Sequence, residues 1–329
     1  MNYRRFVSKV SLGNTANMAR KSKPQIWIEY AVARGILWSL AILPRRAAVG
    51  LGILVSRVCY PFLGKLRRVG LRNLELAYPD KTADEREEIL RNAFSGLGRT
   101  LGIVSGFGSV TRENLGELID CEFDAEFEVA FRRAREEKRG LIVLTGHIGN
   151  WELFALAYSI FFEPSNLLSR KMDNPLIDEM VLNMRSSFGN RQIDKVNSAG
   201  PILRILRDGG SVGILADVNS HPKEGVFVPF FGIAACTTAG VAMLALRANA
   251  LIVPMFAVWN EKKGRYAMIN EKIIEPADTG DRKADIEKTT ALFTAAIERV
   301  VRAYPEQWIW IHRRWKTRPP GEAELYDNI

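Results

Sequence analysis

The sequence predicts an α/β fold, with a mixed but mostly parallel sheet covered by helices on both sides and preceded by an apolar helical region. Three observations carry this reading. Short continuous apolar runs alternate with helix-patterned segments, as parallel strands buried on both faces require. Gly140-Leu141-Ile142-Val143-Leu144 is the clearest of those runs, and it breaks at Gly146 and Gly149 before an apolar helix over 151–161. Ahead of the alternating pattern, residues 26–43 and 47–63 are apolar and carry few charges.

Arg4, Arg5, Lys9, Arg20, Lys21 and Lys23 make the first segment basic. The stretch 26–43 is interrupted by Glu29 and Arg34 and stopped by Pro44-Arg45-Arg46, and 47–63 carries Arg57 and several glycines. A helical span needs about 20 mostly apolar residues. The pair is therefore read as a membrane-anchoring region, either one tilted span or a hairpin embedded in the interface, with an ordinary buried helix pair as the competing reading. The apolar stretch starts late and no small-residue cleavage site follows it, unlike a secretory signal. From Thr82 the chain turns charged and helical, with Asp84 to Glu88 solvated, and Gly96, Gly98, Gly102, Gly106 and Gly108 lighten the next stretch for close packing. Residues 124–138 alternate apolar and charged positions at helical spacing and lead into the 140–144 strand. Asn174-Pro175 is an N-cap followed by proline at the first helical position, opening a helix to about residue 188. Further strands are expected at 211–216, 226–230, 251–258 and 266–274, and helices at 201–207, 238–249 and 282–304. No repeat, low-complexity tract or linker divides the chain. The simplest partition is a basic, membrane-anchoring segment over 1–70 and a catalytic domain over 71–329.

Composition narrows the function. The chain has 329 residues, 47% hydrophobic and 25% charged, which is ordinary for a globular protein, but its net charge of +9 is not. A second basic cluster, Arg313, Arg314, Lys316 and Arg318, lies near the C-terminus. Such clusters suit anionic lipid or an acidic protein partner. No nucleic-acid-binding module or zinc-finger spacing accompanies the charge, which points away from nucleic acid. Cys59, Cys121 and Cys236 are widely spaced and odd in number, favouring a reducing compartment over a disulfide framework.

The chemistry centres on Thr145-Gly146-His147-Ile148-Gly149-Asn150-Trp151-Glu152. Open α/β sheets place ligands beyond the carboxyl ends of their strands, so His147 and Glu152 read as a base and its orienting carboxylate. On one helix, residues five apart point roughly 140° away from each other, but a strand–helix junction can fold His147 back over the first turn. Read structurally, Glu152 complements the helix dipole, and with Asn150 as N-cap it stands one position short of a capping box. A zinc helix motif needs two histidines four apart. His221 and His312 are distant in sequence, so no metal and no cofactor are expected.

The segment His147-Ile-Gly-Asn-Trp-Glu152 resembles the His-X4-Asp/Glu motif of bacterial lipid acyltransferases, and more narrowly the late (lauroyl or myristoyl) acyltransferases of lipid A biosynthesis. Four further segments resemble that family in the expected order: Arg72-Asn73-Leu74 with Tyr78-Pro79; Asp173-Asn174-Pro175-Leu176-Ile177-Asp178 after Arg170; Val226-Phe227-Val228-Pro229-Phe230-Phe231 with Thr237-Thr238; and the run from Pro305 through Trp308-Ile309-Trp310-Ile311-His312-Arg313-Arg314-Trp315 to Pro319. Two departures concern the acceptor side. Asp217-Val218-Asn219 stands where the family often has Asp-X-Asp, and Ser169 and Lys171 flank Arg170 where an aromatic residue and a proline are common.

The resemblance implies direct transfer of a fatty acyl chain from an acyl carrier protein thioester to a hydroxyl of a lipid A precursor glycolipid, at the cytoplasmic face of the bacterial inner membrane. His147 is then the general base and Glu152 its orienting partner. The oxyanion is met by backbone amides around Gly149, Asn150 and Trp151 or by an arginine, Arg170 or Arg185; both arginines also read as surface or phosphate-binding charge. Asp217, at another strand end, positions the acceptor sugar or Arg170. Residues 226–231 line the acyl groove or belong to the core. Arg313, Arg314 and Lys316 dock the acidic donor or lipid phosphates. Two alternatives stay open: an acyl-CoA-dependent enzyme acting on another glycolipid or a lysophospholipid, and a non-catalytic lipid-binding relative.

Overall fold

A computed structural model describes residues 21–327 and Ile329. Every residue of strand β2 (Leu141–Thr145) is buried, as its unbroken apolar run requires. It lies between β5 (Ser211–Leu215) and β8 (Leu251–Asn260), parallel to both. Adding β1 (Ile119–Cys121), β3 (Asn166–Ser169), β4 (Arg191–Asp194) and β9 (Arg265–Asn270) completes a seven-stranded sheet in the order β1-β9-β8-β2-β5-β3-β4. Only the β8–β9 hairpin is antiparallel. A separate antiparallel ribbon joins β6 (Gly225–Phe230) and β7 (Ile233–Thr238). The expected mostly parallel sheet is present. The sequence reading missed β1, β3 and β4, whose three or four residues are too short and too polar to show a period, and it missed β7.

Alternate residues of β2 face different layers. Ile142 and Leu144 join the core containing Leu74, Phe94, Phe293 and Trp308, while Leu141 and Val143 join the one containing Phe154, Ala157 and Met268. Helices therefore cover both faces. The expected helices are found with small changes at their ends: α5 (Ala125–Glu136), α6 (Trp151–Phe161), α7 (Pro175–Ser186), α8 (Ala199–Arg207), α9 (Gly240–Ala248) and α10 (Arg282–Ala303), the numbering starting from four helices nearer the N-terminus.

Those four are α1 (Lys23–Ala41), α2 (Arg45–Cys59), α3 (Gly64–Ala77) and α4 (Ala83–Val104). Thr82 caps α4 in a reciprocal capping box with Glu85. Helix α2 crosses α4 at backbone contact: a Cβ on Gly98 would stand 2.3 Å from the Gly52 carbonyl oxygen, and one on Gly102 would stand 2.6 Å from the Val49 Cα. Side chains there would force the helices apart. Helix α1 is tied down by Asn174, whose Nδ2 donates to the Ile26 carbonyl at 2.9 Å and to Glu29 at 3.0 Å.

The outward side of these N-terminal helices is apolar. Trp27, Ile28, Val32, Ile36, Trp38 and Ile42 are all exposed and, at 100° per residue, occupy roughly half the circumference of α1. Leu51, Leu54, Val55 and Val58 of α2 are exposed too, as is Phe62, at 83%. Among the described residues no single helix is long and apolar enough to cross a membrane, and residues 45–62 and 64–77 form an apolar pair bent by 91°. The basic positions Arg4, Arg5, Lys9 and Arg20 lie outside the described residues.

Candidate active site

The sheet register places the central pair. Thr145 at the end of β2 is opposite Leu215 at the end of β5. Two residues beyond each, His147 and Asp217 meet. The imidazole Nδ1 is 2.9 Å from Asp217 Oδ1. The His147 backbone N–H donates to Asp217 Oδ2 at 2.8 Å, and the indole N–H of Trp308 donates to the same oxygen at 2.8 Å. A carboxylate only accepts, so Nδ1 carries the proton and Nε2 is left as the basic nitrogen. Burial alone would raise the Asp217 pKa, but His147 and the two N–H donors outweigh it and hold the carboxyl at about 2. For His147, burial lowers the pKa and the Asp217 carboxylate more than offsets it, so the net direction is up.

The loop after His147 is fixed by backbone pairing. Ile309 N–H donates to the His147 carbonyl at 3.1 Å, Gly149 N–H to the Gln307 carbonyl at 2.8 Å, and Asn150 N–H to the Ala257 carbonyl at 3.0 Å. Gly149 has φ +58°, and a Cβ there would stand 1.9 Å from the Ala257 oxygen, so only glycine fits this turn. Asn150 is buried and caps α6, its Oδ1 accepting from Leu153 N–H at 2.9 Å.

Several expected roles change. The hydrogen bond expected from Glu152 to His147 is made by Asp217. Glu152 instead binds Arg185 through two bonds, 2.9 Å from Nε to Oε2 and 2.5 Å from Nη2 to Oε1. His147 lies in the loop before α6 and is drawn to Asp217 at the end of β5, while Glu152 in the first turn of α6 is held by Arg185 of α7. The pair still borders the base, since Glu152 raises and Arg185 lowers the proton affinity of His147. The amides of Gly149 and Asn150 cannot serve an oxyanion, because both already donate to carbonyls. The Trp151 and Glu152 amides lie in the first turn of α6, where a helix offers no acceptor. Arg170 is 68% exposed and pairs with Asp173 at 3.1 Å. Asp217 does not bind Arg170.

The basic C-terminal cluster is not a surface patch. Arg314 is 1% exposed, donates to the Cys236 carbonyl at 3.1 Å and to Thr237 Oγ1 at 2.5 Å, and lies over the Phe230 ring. It cannot dock a partner. Arg313 donates to the Ile329 carbonyl, and Lys316 alone of the three expected docking residues is exposed. His312 accepts at Nε2 from the Asn219 amide at 2.8 Å, and burial pushes its pKa down to about 4, so it is neutral. Asn219, in place of a second aspartate, bonds Thr317 through both its side-chain oxygen and nitrogen at 3.0 Å. Val228, Phe230 and Phe231 are buried in the core.

A small open cleft lies beside His147, walled by α4 residues, Trp151, Tyr266 and the segment Gln307–Ile309. Arg99 also lines it, 17% exposed, its guanidinium 4.3 Å from the centre of the Trp259 ring. Neither Cys121 nor Cys236 lines this cleft, and burial pushes both thiols up, Cys121 to about 11. Among the described residues no three His, Cys, Asp or Glu side chains are grouped as a metal would need. Sequence reasoning missed Trp308, Gln307, Tyr266 and Arg99. The run containing Trp308 carries part of the family resemblance and a basic cluster, and neither feature marks its indole as a partner of Asp217.

Comparison with known proteins identifies the family. The family described as bacterial lipid A biosynthesis acyltransferase matches residues 16–317. The lipid A biosynthesis lauroyltransferase of Escherichia coli (strain K12) is 28% identical over 307 residues, spanning 92% of this chain and 96% of that protein. The lipid A biosynthesis palmitoleoyltransferase of the same organism is 28% identical over 304 residues, spanning 92% and 95%. Its lipid A biosynthesis myristoyltransferase is 25% identical over 269 residues, spanning 80% and 81%. With a family match across most of its length and a histidine–carboxylate pair at the strand ends, the chain belongs to the bacterial lipid A biosynthesis acyltransferase family and is an acyltransferase.

Proposed function

We propose that the protein transfers a fatty acyl chain from an acyl carrier protein thioester to a hydroxyl of a lipid A precursor, with His147 as general base. The observation that carries this reading is the Asp217–His147 pair, with Nε2 as its free basic nitrogen, beside a cleft. The lipid A transferases among its relatives support the acceptor class. As the acceptor hydroxyl attacks the thioester carbon, Nε2 takes its proton. The new C–O bond forms, the C–S bond breaks, and the imidazolium returns the proton to the departing sulfur. Asp217 holds the tautomer and stabilises the imidazolium. The Trp151 and Glu152 amides and Arg99 are the donors for the thioester oxygen. Glu152 acts through Arg185, a fixed cation bordering the base.

The N-terminal region over 1–70 is the membrane-attachment segment, lying in the cytoplasmic interface of the inner membrane. A helix that is apolar all round belongs in a core or in lipid. Half of α1 has no protein core against it, and the exposed Arg46, Lys65 and Arg68 suit anionic headgroups. The acidic carrier protein docks through exposed basic side chains such as Lys316.

The test supplies the full-length protein in detergent with acylated carrier protein or acyl-CoA and a lipid A precursor, and follows products by mass spectrometry. A product heavier by one acyl chain is expected with the carrier-protein donor, with KM rising as salt screens the docking charges. Equal salt dependence for both donors, or a preference for acyl-CoA, would favour transfer from acyl-CoA to another glycolipid or a lysophospholipid. No thioester consumption with any donor would indicate a lipid-binding relative.

A further inference from the structure

Among the described residues, the Trp308 indole N–H is the one side-chain donor to Asp217 other than the imidazole itself. The ring is 1% exposed and edge-on to Trp310, with ring centres 4.6 Å apart, and to Phe230, at 5.5 Å. Its backbone bridges Ile148 in antiparallel pairing. The indole therefore cannot swing away from Asp217 without disturbing both the His147 loop and the core. We propose that Trp308 is a positioning residue for the general base: it holds the Asp217 carboxylate in line with the imidazole and limits the negative charge that reaches His147. This rests on the reading of His147 as base.

The physical reason is the sharing of one charge among three donors. Oδ2 accepts two hydrogen bonds, from the His147 amide and the Trp308 indole, while Oδ1 accepts from the imidazole. Each N–H stabilises the carboxylate and draws charge from the oxygen facing His147. Without the indole bond, Asp217 would bind the imidazolium more strongly, and His147 would keep its proton to higher pH. The other groups facing the pair are Glu152 and Arg185 from α6 and α7, and His312 and Arg314 from the C-terminal segment. None of these would change on loss of the indole bond. Oδ2 would retain the His147 amide, so the carboxylate would not become an unsatisfied buried group.

The experiment replaces Trp308 in the full-length protein in detergent by Trp308→Phe, and separately by 3-benzothienylalanine, which keeps the bicyclic shape and lacks the N–H. His147 is titrated by NMR of isotope-labelled histidine without substrates, and the three histidines are told apart by the signal lost in His147→Gln. The pH dependence of kcat/KM is measured in parallel. The expected result is a His147 midpoint raised by roughly half to one unit, with the acid limb of kcat/KM moving equally and KM unchanged. A fold-intact replacement with an unmoved NMR midpoint would overturn the inference; if Phe disturbs the fold, the isostere decides. A moved NMR midpoint with an unmoved kcat/KM profile would sustain the role of Trp308 and refute His147 as the base.

Discussion

The C-terminal run 305–318 and the N-terminal helices α1 and α2 have opposite compositions and opposite placements. The first is rich in arginine, yet Trp308, Trp310, Arg314 and Trp315 are buried. The second is largely apolar, yet Trp27, Trp38 and Phe62 are exposed, at 62%, 66% and 83%. The difference lies in what each meets. The C-terminal run threads between the His147 loop and the β6–β7 ribbon, where carbonyls and a carboxylate accept from several of its donors, though Arg314 Nε and Arg318 Nε are left without a partner among the described residues. Arg314 can be buried because Cys236, Thr237 and the Phe230 ring receive it. The N-terminal helices meet the rest of the protein along α4, on α7 with Asn174, and through the Arg45–Glu117 ion pair, so among the described residues one apolar face is left exposed.

The comparison is tested most severely where the C-terminal run reaches the chemistry. Asp217→Asn should keep the shape but remove the charge that opposes burial of His147 and fixes its tautomer. The analogous change in hydrolase triads costs about 10⁴-fold in kcat, and a comparable loss is expected in the acyl-transfer assay. Near-normal kcat in a folded variant would remove Asp217 from the mechanism. His147→Ala should be as severe.

A stability measurement separates buried from exposed arginine-run residues. Arg314→Leu leaves the Cys236 carbonyl and the Thr237 hydroxyl without their donor, and hydrogen bonds to charged groups contribute about 1.5–3 kcal/mol each. Thermal melts should show a clear drop, whereas Lys316→Ala should stay within about 0.5 kcal/mol of the parent. Similar melting for both variants would mean that Arg314 is not held as described.

For the N-terminal helices the expected pattern is reversed. Trp27→Ser, Trp38→Ser and Phe62→Ser together should leave the melting behaviour unchanged and weaken partition into anionic vesicles by roughly 150-fold. That estimate assumes about 1 kcal/mol per partly buried side chain. Sedimentation with vesicles measures it, and unchanged binding would mean that this face is not the membrane contact.

The smallest expected effect is in the pH dependence. The folded-state pKa of Asp217 is depressed to about 2 from an ordinary value near 3.9. Its contribution to stability is therefore present above about pH 4 and lost as pH falls toward 2. His147 shifts the other way, so its contribution is present below about pH 6.5 and lost as pH rises through its raised folded value. Catalysis needs the neutral imidazole, so the acid limb of kcat/KM should lie above about pH 6.5. In Asp217→Asn, burial and Arg185 are opposed only by Glu152, and NMR should place the His147 midpoint below that value.

The sequence by itself determined the mostly parallel α/β sheet, the longer helices and the position of His147 at a strand end. These are local matters of period, capping and apolar run length: 140–144 can be read alone as a doubly buried strand, and Asn174-Pro175 alone as a helix start. It also carried the family resemblance, because motif order is a property of the chain. Tertiary structure decided which carboxylate serves His147. Glu152 is five residues away and Asp217 seventy, and the choice turns on β5 pairing beside β2 in the register that sets Thr145 opposite Leu215. Tertiary structure likewise decided that Arg314 is interior and Trp27 is not, since composition states what a side chain prefers while exposure depends on which other segments arrive to cover it.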